Sequence, residues 1–185
     1  MQKHKHILVA LALIVGCFST ESLRAQDNAK QIGLFAFGAK IGYHSAEGLD
    51  AAYALGLHAD CGTVYGSFVL FPGVSYWSKS ETVPSYSSAY KVKYQEFAVN
   101  GDVHYYLNPE ENVNYYVGGG PALVFSSRKV GGYGVAESRL ALNLLAGLEL
   151  PLAKKSIFVG EARYKIDANV KTFSLSLGIS FDIGQ

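Results

Sequence analysis

A chain of 185 residues, 17% of them charged and with a formal net charge of +1, is long enough for one domain with a full core. That balance gives no basis for nucleic-acid binding or for long-range electrostatic steering. The two cysteines are Cys17 and Cys61. If Cys17 leaves with a leader, no internal disulfide can form.

The N-terminus reads as a secretory signal peptide over residues 1–25, leaving a single domain over 26–185. Lys3 and Lys5 form the positive region, Ile7–Phe18 the apolar stretch, and Ala25 the small residue before the cut at Gln26. The apolar run is too short for a spanning helix, which needs about 20 residues. Removing the leader takes away three positive charges and one negative, leaving −1. A second reading of the same segment is that Ile14-Val15-Gly16-Cys17 resembles a lipobox, and cleavage there would leave a lipidated Cys17.

After the leader, eight segments alternate apolar with polar residues, the period of a strand with two unlike faces. The first spans about 33–45, with Phe37, Ala39, Ile41 and Tyr43 against Gly38, Lys40, Gly42 and His44. The second spans about 52–62, with Tyr53, Leu55, Leu57 and Ala59 against Gly56, His58 and Asp60. The third, about 64–77, is apolar on both faces; Phe68, Leu70, Val74 and Tyr76 are assigned outward. Pro72 cannot donate to a ladder, so a bulge is expected at Pro72-Gly73. Residues 78–91, rich in serine and tyrosine, read as a long loop.

The fourth segment spans about 92–107, with Phe97, Val99, Val103 and Tyr105 against Glu96, Asn100, Asp102 and His104. Asn108–Asn112 has the composition of a turn. The fifth spans about 113–126, with Pro121 suggesting another bulge, and residues 127–137 read as the second long loop. The sixth, about 138–150, sets Leu140, Leu142, Leu144, Ala146 and Leu148 against Arg139, Asn143, Gly147 and Glu149. The seventh, about 156–166, sets Phe158, Ala162 and Tyr164 against Glu161, Arg163 and Lys165. The eighth is the clearest: Phe173, Leu175, Leu177, Ile179 and Phe181 face Ser174, Ser176, Gly178 and Ser180.

The polar faces are rich in Gly, Ser, Ala and Asn rather than Lys, Glu and Thr, which suits a crowded interior better than a water-washed exterior. Tyr43, Tyr53, Tyr76, Tyr105, Tyr115 and Tyr164 fall on the apolar faces, where interfacial aromatic girdles would place them. The fold expected is all-β: an antiparallel, up-and-down transmembrane β-barrel of about eight strands. A soluble, lipocalin-like carrier with its apolar face turned inward is the competing reading.

These segments resemble small outer-membrane β-barrels of the porin-like, OmpA/OmpX-type superfamily, in the version common in Bacteroidetes. The carriers are Phe71-Pro72-Gly73-Val74-Ser75-Tyr76, Tyr94–Val99, Tyr116–Pro121, Gly147–Leu150 with Ala162-Arg163-Tyr164, and Leu175–Phe181. The resemblance implies the cell outer membrane as location, its lipid as surroundings, and the barrel-assembly machinery as the route of insertion.

An eight-stranded barrel has an interior that side chains fill. Lys40, Asp60, Glu96, Asp102, Arg139, Glu149, Glu161, Arg163 and Lys165 would pool there as an ion-pair network. A narrow conduit for small or hydrophobic solutes is the functional alternative. No catalytic, cofactor or metal motif stands out: the histidines His44, His58 and His104 lack coordinating spacing, and Gly118-Gly119-Gly120 lacks the context of a phosphate loop. Tyr86, Tyr90 and Tyr133, in the two proposed loops, are the candidates for contact with an external ligand.

Overall fold

The computed structural model describes residues 32–47, 49–83, 89–107, 112–131, 133–168 and 170–183. Nine strands are found among them: β1 (Ala36–Ala46), β2 (Ala52–Asp60), β3 (Thr63–Tyr65), β4 (Phe68–Val83), β5 (Tyr90–Tyr106), β6 (Asn114–Val130), β7 (Tyr133–Ala153), β8 (Ser156–Asp167) and β9 (Lys171–Asp182). Each pairs antiparallel with its neighbours, in the order β2-β1-β9-β8-β7-β6-β5-β4-β3. An additional β2–β4 pairing, from His58↔Gly73 to Ala54↔Trp77, closes the sheet. Eight long strands thus form the barrel, and β3 is a three-residue appendage to β4.

Closure settles which face is which. Leu142 is 51% and Leu177 58% exposed, while Asn143, next to Leu142, is fully buried. The apolar face points out and the polar face points in, which excludes the lipocalin-like arrangement. The outward face carries two aromatic girdles. At the end where β1 begins and β9 finishes lie Phe37, Phe181, Phe68, Tyr105 and Tyr115; at the other, distal end lie Tyr43, Tyr53, Tyr76, Phe97 and Tyr164. Rings meet within each girdle, Phe37 with Phe181 at 5.9 Å, Phe68 with Tyr105 at 5.0 Å and Tyr43 with Tyr53 at 6.0 Å. Phe68 to Tyr76 and Tyr105 to Phe97 each step along one face of one strand. At about 3.3 Å per residue and about 40° of tilt, that spans roughly 20 Å, near the ~25 Å apolar band of such barrels.

Several boundaries differ from expectation. The proposed loop 78–91 is mostly strand: β4 runs on to Val83 and β5 starts at Tyr90. The proposed loop 127–137 is a tight hairpin: β6 runs to Val130, β7 starts at Tyr133, and Gly131 takes a φ of 52° in the two-residue connection. That positive φ is what a two-residue hairpin turn requires, and glycine supplies it without strain. The third segment is split by a turn at Gly66-Ser67, where Gly66 has a φ of 53°.

Neither proline makes the expected bulge. The β4–β5 register passes unbroken through Pro72↔Gly101, and the β6–β7 register through Pro121↔Leu142. The β2–β4 ladder stops at Gly73, one residue short of Pro72, and the β5–β6 ladder skips from Asn100↔Ala122 to Val103↔Gly119. A proline lacks one donor, so it interrupts the ladder on one side only and the other neighbour keeps the register.

Arginine at Leu177 should destabilise the folded barrel by about 2–4 kcal/mol in lipid vesicles, since it lies midway between Phe173 and Phe181 on the lipid-facing side of β9. Urea unfolding of the reconstituted protein reads this directly. Threonine in place of Ser176, on the inner face beside Leu177, should cost far less.

Candidate functional site

The inward residues sort into tiers along the barrel. Toward the distal end, Arg139 lies on the inner face of β7. Its Nε donates to Asp167 Oδ2 at 2.6 Å, its Nη1 to Ser126 Oγ at 2.8 Å and its Nη2 to Glu96 Oε2 at 3.2 Å. Lys165 of β8 pairs with the other oxygen of Glu96. A second cluster lies at mid-barrel. Lys40 of β1 reaches Glu161 Oε2 at 2.8 Å, and Arg163 bridges Glu161 at 3.0 Å and Asp102 at 2.7 Å. Asn143 extends it, donating to Asp102 at 2.9 Å and Asn100 at 3.0 Å.

Seven of the nine proposed lumen charges therefore share these two clusters: Lys40, Glu96, Asp102, Arg139, Glu161, Arg163 and Lys165. The other two stand apart at the end where β1 begins and β9 finishes. Glu149 accepts from Tyr106 Oη at 2.9 Å, and Asp60 accepts from the Gly62 amide at 2.8 Å. Asp167 is a member that sequence reading passed over, because it sits where β8 ends and reads as a turn residue.

An aromatic stack runs beside the mid-barrel cluster. His58, Phe71, His104 and Tyr116 lie ring on ring, with centroids 6.1, 4.1 and 4.4 Å apart. Tyr116 ends the stack and donates to Glu161 Oε2 at 3.3 Å. Two glycines make room for it: a methyl at Gly38 would strike the His58 ring, and one at Gly147 would strike Tyr116. On the β1–β2–β4 side the lumen keeps a cavity of about 80 Å³, bordered by Gly42, Gly56, Gly73, Ser75 and Ser176. Several waters fit there.

His44 accepts or donates at 2.9 Å to Ser174 Oγ and stacks on Trp77 at 4.7 Å. A His–Ser pair could serve nucleophilic chemistry, but this one is buried inside the barrel, away from any lipid acyl group. No group of three or more metal-ligating side chains is found among the described residues. Of the proposed ligand-contact tyrosines, Tyr133 is 87% exposed at the tip of the β6–β7 hairpin and Tyr90 is exposed at the start of β5. Tyr86 lies outside the described residues.

A closed antiparallel barrel with an apolar exterior and a charged, filled interior defines a transmembrane β-barrel protein. Known structures bear this out at the level of fold, while no family model and no curated protein matches the chain. Neisserial surface protein A superposes with a TM-score of 0.63 at 16% identity, over 80% of this chain and 97% of that one. A major outer membrane protein from Thermus thermophilus gives 0.56 at 14% identity, over 83% and 99%. Ail, the attachment invasion locus protein of Yersinia pestis, solved with the heparin analogue sucrose octasulfate, gives 0.52 at 15% identity, over 80% and 96%. The chain thus has the fold of these small eight-stranded outer-membrane barrels.

Glu161→Gln should cost about 3–5 kcal/mol, because Lys40 then has no carboxylate partner inside the barrel. Adding Lys40→Met should recover much of that loss. A double-mutant cycle by urea unfolding in vesicles measures the coupling.

Proposed function

We propose that this protein is a closed, non-conducting barrel whose task is to hold a stiff sheet beyond the outer leaflet as a binding surface. The observation that carries this is strand length. β1, β2, β8 and β9 run 11, 9, 12 and 12 residues, which suffices to cross; β4, β5, β6 and β7 run 16, 17, 17 and 21. Nearly all the excess lies at the distal end, and this reading places that end outside the cell, where such barrels carry their longer excursions.

The protruding sheet has two free edges. The β7–β8 ladder begins at Ala141↔Asp167, so Tyr133–Leu140 pair with β6 alone. The β2–β4 ladder ends at Trp77, so Ser78–Val83 pair with β5 alone. Unpaired backbone on an exposed edge can take up an extended segment of a partner, and Tyr90 and Tyr133 supply exposed aromatics beside it. The ion-paired lumen argues against a conduit, and the buried His44–Ser174 pair argues against lipid-directed catalysis. Export by the leader 1–25 and insertion by the barrel-assembly machinery complete this reading.

In planar bilayers the purified protein should show no unitary conductance; discrete steps would favour the narrow-channel alternative. On intact cells, a membrane-impermeant maleimide should label Ser80→Cys and leave Lys155→Cys unlabelled. The reverse pattern would turn the sheet into the periplasm. Intact mass of the mature chain should correspond to a start at Gln26, whereas an acylated start at Cys17 would replace the signal-peptide reading.

A further inference from the structure

We infer that the outward face of the protruding sheet carries a binding site for the phosphate groups of outer-leaflet lipid, built on Lys93 and Lys129 with Lys91 above them. The inference rests on the external placement of the distal end proposed above.

The pairing registers lay out this face row by row. The row Tyr76–Phe97–Phe125 ends the apolar band. The next row is Ser78–Gln95–Ser127–Ala136, and the next is Ser80–Lys93–Lys129–Gly134. Lys91 lies one row further, opposite Thr82. Lys93 and Lys129 are therefore direct cross-strand neighbours on one face, an arrangement in which like charges destabilise a sheet. All three lysines are exposed.

The acids of these hairpins are kept off that face. Glu81 alternates with Ser80 and Thr82, and Glu137 with Ala136 and Ser138, so both sit on the opposite side. There Arg139 comes within 4.0 Å of Glu137. Lys79, also on that side, reaches Asp50 at 3.8 Å. Lys91, Lys93 and Lys129 have no carboxylate within ion-pair distance among the described residues, and residues 84–89 contain no acid in the sequence. A chain with nearly equal numbers of acids and bases has thus gathered one sign of charge on one face.

Height selects the occupant. Phe97 to Lys93 is one stretch of β5, which at about 3.3 Å per residue and about 40° of tilt rises roughly 10 Å above the aromatic row. Headgroup layers extend roughly 5–8 Å beyond the hydrocarbon on each side, and lysine stems can bend back toward it. Anionic phosphates occupy that layer. One phosphate between two ammonium groups removes their repulsion, and Ser127, Gln95 and Ser80 add neutral hydrogen-bonding groups in the adjoining positions.

The test uses the full mature chain in phosphatidylcholine vesicles, with binding of bisphosphorylated lipid A measured against its dephosphorylated form. Lipid A should bind in a salt-sensitive way, the dephosphorylated form only weakly. Lys93→Gln with Lys129→Gln should lower affinity roughly thirty-fold, at the usual strength of a basic residue near an anionic surface. Lys93→Arg with Lys129→Arg should keep it, and Lys154→Gln with Lys155→Gln, at the opposite end, should leave it unchanged. If the double glutamine variant loses its heat-dependent gel shift, Lys129→Gln alone carries the test, with an expected loss of about five-fold. Unchanged affinity in the glutamine variants overturns the site, as does an equal loss at Lys154 and Lys155. Equally tight, lysine-dependent binding of soluble dextran sulfate would assign these lysines to an aqueous polyanion and overturn the lipid site.

Discussion

Hydrocarbon offers no hydrogen-bond partner to a peptide group, and each orphan costs several kcal/mol, so a spanning sheet cannot keep an edge. In this chain the constraint is met by two seams. β1 joins β9 along eleven pairs from Ala36↔Asp182 to Ala46↔Thr172, and β2 joins β4 along five from His58↔Gly73 to Ala54↔Trp77. The shorter seam is the weaker one, and Pro72 lies at its end. Backbone bonds extend it past the strand limits, with the Cys61 amide donating to Leu70 and the Leu70 amide to Gly62. Gly62, at a φ of 83°, turns the chain so that both can form.

Closure then dictates chemistry on both sides. Once eight strands curl up, one face meets lipid and the other meets itself, and the interior has little room. Small residues are needed wherever a large one crosses. Gly147 lies under Tyr116 and Gly38 under His58, while Ala98, Ala122, Val124 and Ala141 fill the space between β5, β6 and β7. Charges in such a space are tolerable only as partners, which is why each carboxylate in the two clusters holds at least one cation. Such pairs add little net stability, but they demand one arrangement of β1, β5, β7 and β8, since a strand shifted by one residue would turn Lys40 or Arg163 toward lipid.

What the sequence made legible follows from the same physics. Alternation is strong where one face meets hydrocarbon, so the eight crossings, the outward leucines and the outward tyrosines could be read from β1 to β9. Beyond the aromatic row the outer face meets water, and Ser78, Ser80 and Thr82 replace Val74 and Tyr76 without any change of backbone. The apolar signal fades while the ladder continues, so strand there has the composition of loop. A usable signal was present in Val130-Gly131-Gly132-Tyr133, a two-glycine turn between β-favouring residues. The lumen was legible by face but not by partner. Alternation assigns Asp60 and Glu149 inward with the rest, yet says nothing of height, and height separates them from Glu161. The stack of His58, Phe71, His104 and Tyr116 draws on β2, β4, β5 and β6, and only the registers bring those rings to one level.

The protruding sheet turns this continuity into a division of labour. A loop could leave the barrel in any direction, but a ladder that runs on from Phe97↔Phe125 to Lys93↔Lys129 keeps its facing. Side chains that look at lipid below must look sideways over the headgroups above, and those that look into the lumen must look over its mouth. The placement of charge obeys that rule: three lysines on the first face, and Glu81, Glu137, Lys79 and Arg139 on the second. Loss of the apolar signal therefore does not mean loss of order. The same alternation that sorts residues between lipid and lumen goes on to sort them between membrane surface and the mouth of the filled barrel.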